Sequence, residues 1–316
     1  LASVSVAPPT SASMASAANG STDAARKFGT FGGVFTPNLL TILGVIMFLR
    51  TGWVVGNAGL RQALIILVVA NSITLLTSLS LSAIATNTKV GGGGAYFLIS
   101  RSLGLEIGGS IGLPLFLAQA ISVAFYVSGF TESLQFLLPN LAVRQTCTVT
   151  LAVLFIIAWV GADLAIKTQY FIMAALGLSL ASFFLGWTPV PDWRTNAMPQ
   201  YQGGQGFWSV FAIFFPAVTG IMAGVSMSGD LKDPSRSIPR GTLWAVALTF
   251  VIYAGEMIWL ALNAGREELL TDKLVLRRIA LVGPLIFAGL WAATLSSALA
   301  SLLAAPRTLQ ALGHDR

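Results

Sequence analysis

Two hydrophobic stretches carry the same group of residues, a proline followed by a threonine and a glycine. The first reads PNLLTILGVIM from Pro37 to Met47, and the second reads FFPAVTGIMAG from Phe214 to Gly224. Proline removes a backbone donor and glycine lowers helix preference, so each stretch predicts a helix that breaks near its middle. A break frees carbonyl groups that suit a cation and N–H groups that suit an anion. The two stretches therefore predict a ligand site.

This sequence lacks the side chains of a typical enzyme or metal centre. Cys147 is its one cysteine, and His314, its one histidine, lies near the end. A disulfide, a cysteine metal cluster and a Ser-His-Asp triad are therefore excluded within this sequence. The glycines at 91–94 precede no Gly-Lys-Ser/Thr, so they predict a flexible entry to a short helix at 95–103 rather than a nucleotide site. We expect no enzyme activity and no cofactor.

The composition is that of a membrane protein. Of 316 residues, 55% are hydrophobic and 9% are charged, against about 25% charged in a soluble domain. The mean hydropathy is +0.79, and apolar runs repeatedly exceed about 18 residues, as in multi-pass helical proteins. The pI of 9.8 does not indicate nucleic-acid binding, because the basic residues form no block. The expected surroundings are membrane lipid.

A helix that crosses a membrane needs about 20 apolar residues, and eight such spans are predicted. They lie near 36–57, 62–86, 108–138, 147–162, 167–187, 206–229, 240–263 and 282–305. Basic residues are more frequent in the segments that share a side with the N-terminus, although the loop at 264–281 weakens this bias. The N-terminus is therefore predicted to be cytoplasmic.

The two Pro-Thr-Gly stretches fall in the first and sixth predicted spans. Interruptions at corresponding positions five spans apart are typical of inverted-repeat secondary transporters. Free backbone groups are tolerated at membrane depth only where they line a cavity or bind a ligand. The alternative is a packing glycine and a kinking proline, both of which are common in membrane helices.

The second Pro-Thr-Gly stretch is followed by two polar motifs, and three further stretches of the chain are as distinctive. The motifs are FFPAVTGIMAG at 214–224, SGDLKDP at 228–234, SIPRGT at 237–242, GGGAYFLISRSLG at 92–104, AATLSSALAS at 292–301, and the stretch 44–59. Together they resemble the cation–chloride cotransporter family of the amino acid–polyamine–cation permease superfamily, most nearly its sodium-potassium-chloride branch. The resemblance covers residues 28–312.

The resemblance implies an all-α fold of five plus five inverted repeats within twelve spans, with discontinuous helices one and six. Residues 28–312 are expected to form the membrane transport domain, between a disordered tail at 1–27 and a short tail at 313–316. An organelle transit peptide is the alternative reading of the first tail. Only eight spans are present, so we expect an incomplete second repeat and no complete transport pathway in residues 1–316 alone.

The resemblance also implies the residues that hold ions. Two chlorides bind the backbone N–H groups of one triplet in each interrupted span, and potassium and sodium bind nearby carbonyls and hydroxyls. The chloride residues are Gly44, Val45 and Ile46, then Gly220, Ile221 and Met222; the potassium residues are Thr41, Ile42, Tyr126, Pro216 and Thr219; the sodium residues are Leu40, Leu43, Ala293, Ser296 and Ser297.

Five residues carry additional expectations. The resemblance implies that Arg50 and Glu132 pair as an extracellular gate, the alternative being that each reaches the interface independently. Thr41 and Leu43 replace the Asn and Trp usual in the family, and the loss of the amide oxygen puts potassium selectivity in doubt. Glu256 is expected near the outer interface, although an acid within a span is a functional candidate.

The sequence therefore predicts a multi-pass secondary transporter that couples chloride to sodium, potassium or both without net charge movement. Chloride, sodium and potassium are its expected ligands, and the plasma membrane its expected location. A homodimer of the full-length protein is left open. The alternatives are an amino acid or polyamine permease of the same superfamily and a non-transporting membrane subunit.

Overall fold

The structure is a computed structural model that describes residues 27–88, 93–160, 162–189 and 193–315. Residues 1–26 of the predicted tail and glycines 91 and 92 lie outside the described residues. The described chain is helical, with one isolated parallel bridge between Phe28 and Leu231 in place of any sheet. The predicted all-α, multi-pass class is confirmed.

The helices follow one another in chain order, with short irregular connections. A π-helical turn at Phe31–Phe35 precedes the first, and 3₁₀ turns lie at Trp193–Ala197, Phe215–Val218 and Ser228–Asp230. The α-helices of the described residues are α1 (Thr36–Ile42), α2 (Val45–Asn87), α3 (Gly94–Leu103), α4 (Leu105–Gln135), α5 (Val143–Val160), α6 (Ala162–Leu185), α7 (Phe207–Phe214), α8 (Met222–Val225), α9 (Pro234–Asn263), α10 (Arg266–Thr271), α11 (Val275–Ile279) and α12 (Gly283–His314).

Six helical segments of the described chain are long and apolar enough to cross a membrane. They are Val45–Asn87, Leu105–Gln135, Thr168–Leu185, Phe207–Val225, Pro234–Asn263 and Gly283–His314. The first has 43 residues, which at about 1.5 Å per residue is about 65 Å, more than twice an apolar bilayer core. It therefore cannot cross once as a straight rod.

Gly59 divides this long helix. Its backbone angles, φ 64° and ψ 162°, are non-helical and belong to a region that is essentially restricted to glycine. A Cβ atom at this position would lie 2.3 Å from the backbone oxygen of Met198. The stretch before Gly59 continues the first predicted span, and the stretch after it forms the second.

The core is built around the interrupted first span. Its buried side chains run from Leu39 to Leu49 almost without exception, and they pack against α7, α9 and α12. The start of this span fits closely between two other helices, because Val34 contacts both Gly224 and Gly241 where a Cβ atom would lie within 2.8 Å. Small residues at such contacts let membrane helices approach each other.

The SGDLKDP motif forms the turn between α8 and α9. The Asp233 carboxylate caps α9 by accepting from the Arg236 N–H at 3.3 Å and from the Ser235 hydroxyl at 2.7 Å. The Ser235 hydroxyl and the cap hold the pKa of the Asp233 carboxyl below its usual range. An N-cap aspartate also favours the positive end of the helix dipole.

Some elements differ from the sequence-based expectation. Pro37 lies in the first turn of α1, where its missing N–H costs nothing, and the break comes six residues later at Leu43. Helix α12 continues through His314, so residues 313 and 314 of the predicted short tail are helical. Glu256, expected near the outer interface, is fully buried against other parts of the protein.

Gly59→Ala is expected to destabilise the fold by about 1–3 kcal/mol or more, because alanine disfavours this φ and its methyl group meets Met198. The measurement is the thermal unfolding midpoint in detergent. Gly177→Ala is the matched control, since no atom lies within 4 Å of the added methyl group. Equal midpoints for the two variants would contradict the assigned role of Gly59.

Candidate functional site

The first break separates α1 from α2 at two residues. Leu43 has φ −80° and ψ 58°, and Gly44 has φ −101° and ψ −152°. The Leu43 N–H still closes the last turn of α1 by donating to the Leu39 carbonyl at 2.9 Å. The helix therefore stops and restarts inside one span, as the sequence predicted, and it does so within the buried core.

The restart at Gly44 is the start of a buried and uncapped helix. Gly44 is the N-cap of α2 and supplies no side chain to its first N–H groups, and no side-chain cap is formed. Val45 and Ile46 are 5% and 6% exposed. The first four N–H groups of a helix have no partner within the helix, and a buried end needs one from outside. An anion satisfies them and the positive end of the dipole together.

The second break spans the 3₁₀ turn at Phe215–Val218 and the residues up to α8. Thr219 is extended, and Gly220 has a φ of 120° that favours glycine. Two of the first N–H groups of the short α8 have partners. The Ala223 N–H donates to the Gly220 carbonyl at 3.2 Å, and the Gly224 N–H donates to the Asn38 amide oxygen at 2.7 Å. Ile221 and Met222 stand at the start of α8.

The two breaks touch each other. A Cβ atom at Gly220 would lie 3.0 Å from the Thr41 methyl carbon and 3.2 Å from the Ile42 nitrogen. A Cβ atom at Gly44 would lie 3.8 Å from the Tyr126 ring. The structure thus brings together the predicted residues of α1, α2, α4 and the second break in one place.

Tyr253 ties the two breaks together. Its hydroxyl lies within hydrogen-bonding distance of the Ile42 carbonyl, at 2.8 Å, and of the Ala217 carbonyl, at 3.3 Å, and the side chain is fully buried in α9. Thr74 of α2 donates to the Val218 carbonyl at 3.1 Å. These hydroxyls satisfy carbonyls that the breaks have freed.

Asn38 links the same region on the other side of α1. Its amide nitrogen donates to the Thr242 hydroxyl at 3.2 Å, and its amide oxygen accepts from the Gly224 N–H at 2.7 Å. The side chain is fully buried. One residue thereby fixes α1 relative to both α8 and α9.

Two of the predicted sodium residues, Leu40 and Ser297, meet at the end of α1. The Ser297 hydroxyl is 3.4 Å from the Leu40 carbonyl and lies beside the Tyr126 hydroxyl. Ser297 is buried, and Ala293 lies one turn earlier on α12 and is fully buried too. Ser296 faces a cavity instead. Carbonyl and hydroxyl oxygens are the ligands that alkali cations prefer.

The predicted potassium residues differ from one another in burial and in hydrogen bonding. Thr41 donates its hydroxyl to the Pro37 carbonyl at 2.8 Å, and the Ile42 carbonyl accepts from Tyr253. Thr219 donates to the Pro216 carbonyl at 2.7 Å, and both of these residues are exposed. The oxygens lie around the two breaks, but several already take part in hydrogen bonds.

Arg50 and Glu132 form an ion pair at 3.2 Å, on the α2 side of the first break. Lys273, from the segment between α10 and α11, binds the other oxygen of the same carboxylate at 2.7 Å. The three side chains thus join α2, α4 and a loop. Each is partly exposed, so the pairs contribute only about 0–1 kcal/mol to stability.

A cavity of about 440 Å³ lies on the other side of the breaks, beside α1. It reaches from Ser296 to Arg307, and Arg307 also pairs with Asp230 of the SGDLKDP turn at 3.3 Å. Further lining residues include Pro37, Ala223 and Ser226. Ser296, one of the predicted sodium residues, thus lines this cavity, while the Arg50–Glu132–Lys273 ion pairs lie on the α2 side of the first break.

Sequence reasoning missed Tyr253, Asn38, Thr74 and Lys273. Their partners are 36 to 211 residues away along the chain, so no local spacing indicates them. One available signal was a polar side chain inside an apolar span, which applies to Asn38, Thr74 and Tyr253. Lys273 lies in a loop and carries no such signal.

Comparison with known proteins gives a consistent result. Residues 33–316 match the family model described as Amino acid permease. Solute carrier family 12 member 1 of Mus musculus is 38% identical over 351 residues, covering 92% of this chain and 32% of that protein. Solute carrier family 12 member 2 of Squalus acanthias is 39% identical, covering 92% and 29%. The bumetanide-sensitive sodium-(potassium)-chloride cotransporter of Manduca sexta is 37% identical, covering 92% and 33%.

The resemblance drawn from the motifs is confirmed by these relatives. The chain spans about a third of the length of the curated relatives it matches. Together with the long apolar helices, the match makes the chain an integral, multi-pass membrane protein.

Tyr253→Phe is expected to lower stability by about 1–3 kcal/mol, because the buried Ile42 and Ala217 carbonyls lose the hydroxyl between them. The measurement is the shift in thermal unfolding midpoint in detergent. Tyr170→Phe is the matched control, since that side chain is 47% exposed. If Tyr253→Phe unfolds no earlier than Tyr170→Phe, the hydroxyl does not hold the breaks.

Proposed function

This chain belongs to the amino acid permease family, and on that premise we propose that it acts in electroneutral, cation-coupled chloride symport. Chloride moves with sodium, potassium or both, down the combined gradient of the ions. The relatives named as sodium-(potassium)-chloride cotransporter and as solute carrier family 12 members support this choice within the family.

The observation that carries the proposal is the buried, uncapped start of α2. The N–H groups at Gly44, Val45 and Ile46 point the positive end of a helix into the core with no capping side chain. Chloride is small, carries a full negative charge and accepts several hydrogen bonds at once. It therefore fits a site built from backbone N–H groups alone. Gly220, Ile221 and Met222 would hold a second chloride at the second break.

Cation binding is proposed next to this anion site. Leu40, Leu43, Ala293, Ser296 and Ser297 would hold sodium, through carbonyl oxygens on the first break and hydroxyls on α12. Thr41, Ile42, Tyr126, Pro216 and Thr219 would hold potassium. A cation close to the bound chloride lowers the cost of placing either charge inside the membrane. Coupling of the two ions follows from that mutual dependence.

Alternating access is proposed to use the two sides of the breaks. The Arg50–Glu132–Lys273 ion pairs close one side, and the cavity beside α1 opens toward the other. With the N-terminus cytoplasmic, the closed side is extracellular and the conformation faces inward. The plasma membrane is the proposed location, and a homodimer of the full-length protein stays open.

An amino acid or polyamine permease is the second candidate, because the matching family model carries the name amino acid permease. The contact between the breaks favours ions over this alternative. Thr41 lies so near Gly220 that a single added carbon would be 3.0 Å from it, which leaves no space between them for an amino acid. A non-transporting subunit is the third candidate and would bind partners without saturable flux.

The deciding experiment measures uptake into liposomes that contain the full-length protein. We expect saturable uptake of labelled chloride that depends on sodium or potassium and generates no membrane potential. Radiolabelled amino acids and polyamines, offered at the same concentrations, test the second candidate. Amino acid flux without chloride flux would refute the proposal, and absence of both would favour the non-transporting subunit.

The sodium site is tested by Ser296→Ala combined with Ser297→Ala. Each lost oxygen ligand is expected to cost about 1 kcal/mol or more, so the half-saturating sodium concentration should rise by at least about tenfold. Ser301→Ala is the control, because it removes a buried hydroxyl from the same helix about one turn further on. Unchanged sodium activation in the double variant would refute this site.

The potassium site is tested at Thr41 and Tyr126. Thr41→Asn adds an amide oxygen beside the breaks and should increase the apparent affinity for potassium or rubidium. Tyr126→Phe removes one hydroxyl and should decrease it several-fold. The measurement is rubidium activation of chloride uptake. If neither variant changes that activation, the chain is a sodium–chloride carrier.

A further inference from the structure

Glu256 is an acid that the ion sites do not use. It lies in α9, one turn after Tyr253, and no part of the residue is exposed. Neither carboxylate oxygen makes a hydrogen bond of acceptable geometry. Its neighbours along the helix, Met257 and Leu260, are fully buried as well. The carboxyl group therefore lies in a closed, largely apolar environment.

No positive charge compensates this carboxylate within the described residues. Helix α9 packs against the π-helical turn at 31–35, α1, α2, α8 and the 3₁₀ turns at 193–197 and 228–230. Its Gly255 and Trp259 also contact Phe184 at the end of α6. The charged residues of these elements are engaged elsewhere or lie far away. On α2, Arg50 pairs with Glu132 and Arg61 contacts Met198. On the 3₁₀ turns, Asp230 pairs with Arg307, and Arg194 is exposed. On α9 itself, Arg236 and Arg240 lie near the end of the helix that is opposite to Glu256.

The polar groups close to Glu256 are hydroxyls. Thr51 of α2 lies beside the carboxyl and is fully buried, and Tyr253 is the nearest titratable side chain on α9. The Tyr253 hydroxyl is already directed to the Ile42 and Ala217 carbonyls. Neither group supplies the positive charge that an ionised carboxylate needs.

An ionised carboxylate in such a place is very costly, and the usual outcome is that the group takes up a proton and becomes neutral. A proton forms an O–H bond on the carboxylate and needs no cavity of its own. A metal cation would need several oxygen ligands around it. The closed packing at Glu256 therefore suits a proton better than sodium or potassium.

We infer that Glu256 is a proton-binding site, occupied in this conformation, whose proton is released when the broken helices rearrange. Tyr253 provides the connection, because it lies one turn from Glu256 and its hydroxyl bridges the carbonyls at both breaks. A movement at either break therefore shifts this part of α9 relative to Thr51 of α2. Water that enters the widened contact stabilises the carboxylate and takes up the proton. The binding site rests on the geometry of α9, and its effect on flux rests on the proposed transport function.

The bound proton is tested by infrared spectroscopy of the purified protein in lipid at neutral pH. The difference spectrum of wild type minus Glu256→Gln should contain the carbonyl stretch of a protonated carboxyl group, with the shift expected in heavy water. Glu267→Gln is the matched control, since Glu267 is an exposed acid, and its difference spectrum should lack the band. Absence of the band for Glu256 overturns the proposal.

The coupling is tested by the pH profile of chloride uptake. Loss of one proton makes wild-type uptake fall by up to about tenfold per pH unit on the alkaline side. Glu256→Gln mimics the protonated acid, so the alkaline fall in uptake should disappear in this variant. Glu267→Gln should keep the alkaline fall. A wild-type profile retained in Glu256→Gln overturns the coupling.

Two further outcomes are separated by these measurements. If the protein carries no chloride flux but shows the Glu256 band, the transport proposal fails and the proton site stands. If Glu256→Gln does not insert, the wild-type band is titrated directly, and Glu256→Asp should shift its frequency. A wild-type spectrum without any protonated carboxyl at neutral pH overturns the proposal in that case as well.

Discussion

The rest of this structure depends on one constraint: backbone N–H and carbonyl groups at membrane depth must find partners inside the protein. A helix that breaks within the core releases several such groups at once. Tyr253 and Thr74 lie against carbonyls of the breaks, and Asn38 accepts from the Gly224 N–H. Each comes from a different helix. The same contacts that satisfy the backbone therefore also hold α1, α2, α8 and α9 in one arrangement.

These contacts need close approach, and glycine makes it possible. Gly220 lies against Thr41, while Gly224 and Gly241 both lie against Val34, at distances that leave no space for a Cβ atom without displacement. Lipid provides no hydrophobic force that would drive apolar helices together, so shape and hydrogen bonds must do so. The small residues bring the backbones near enough for short polar side chains to cross between them.

The sequence predicted the parts of this arrangement that have a local cause. The two breaks, the short helix before α4 and the all-α class follow from glycine, proline and hydropathy. The position of the first break did not follow from Pro37, because a proline in the first turn of a helix is tolerated. Tyr253, Asn38 and Lys273 act on residues 36 to 211 positions away, and only the folded chain defines those neighbours. The burial of Glu256 likewise depends on neighbours that only the folded chain defines.

The two breaks differ in how the N–H groups of the following helix are satisfied. The difference indicates which break needs a ligand. At the second break, Asn38 and the Gly220 carbonyl already serve two N–H groups of the short α8. At the first, the long α2 starts at a glycine, without a side-chain cap, in the buried core. The buried helix start that has no side-chain partner is therefore the one at Gly44. The unpartnered acid, Glu256, lies on the neighbouring α9, close to Thr51 near the start of α2. The positive start of α2 and the Glu256 carboxyl thus both lie beside the interrupted first span. A movement of that span therefore changes the surroundings of both groups.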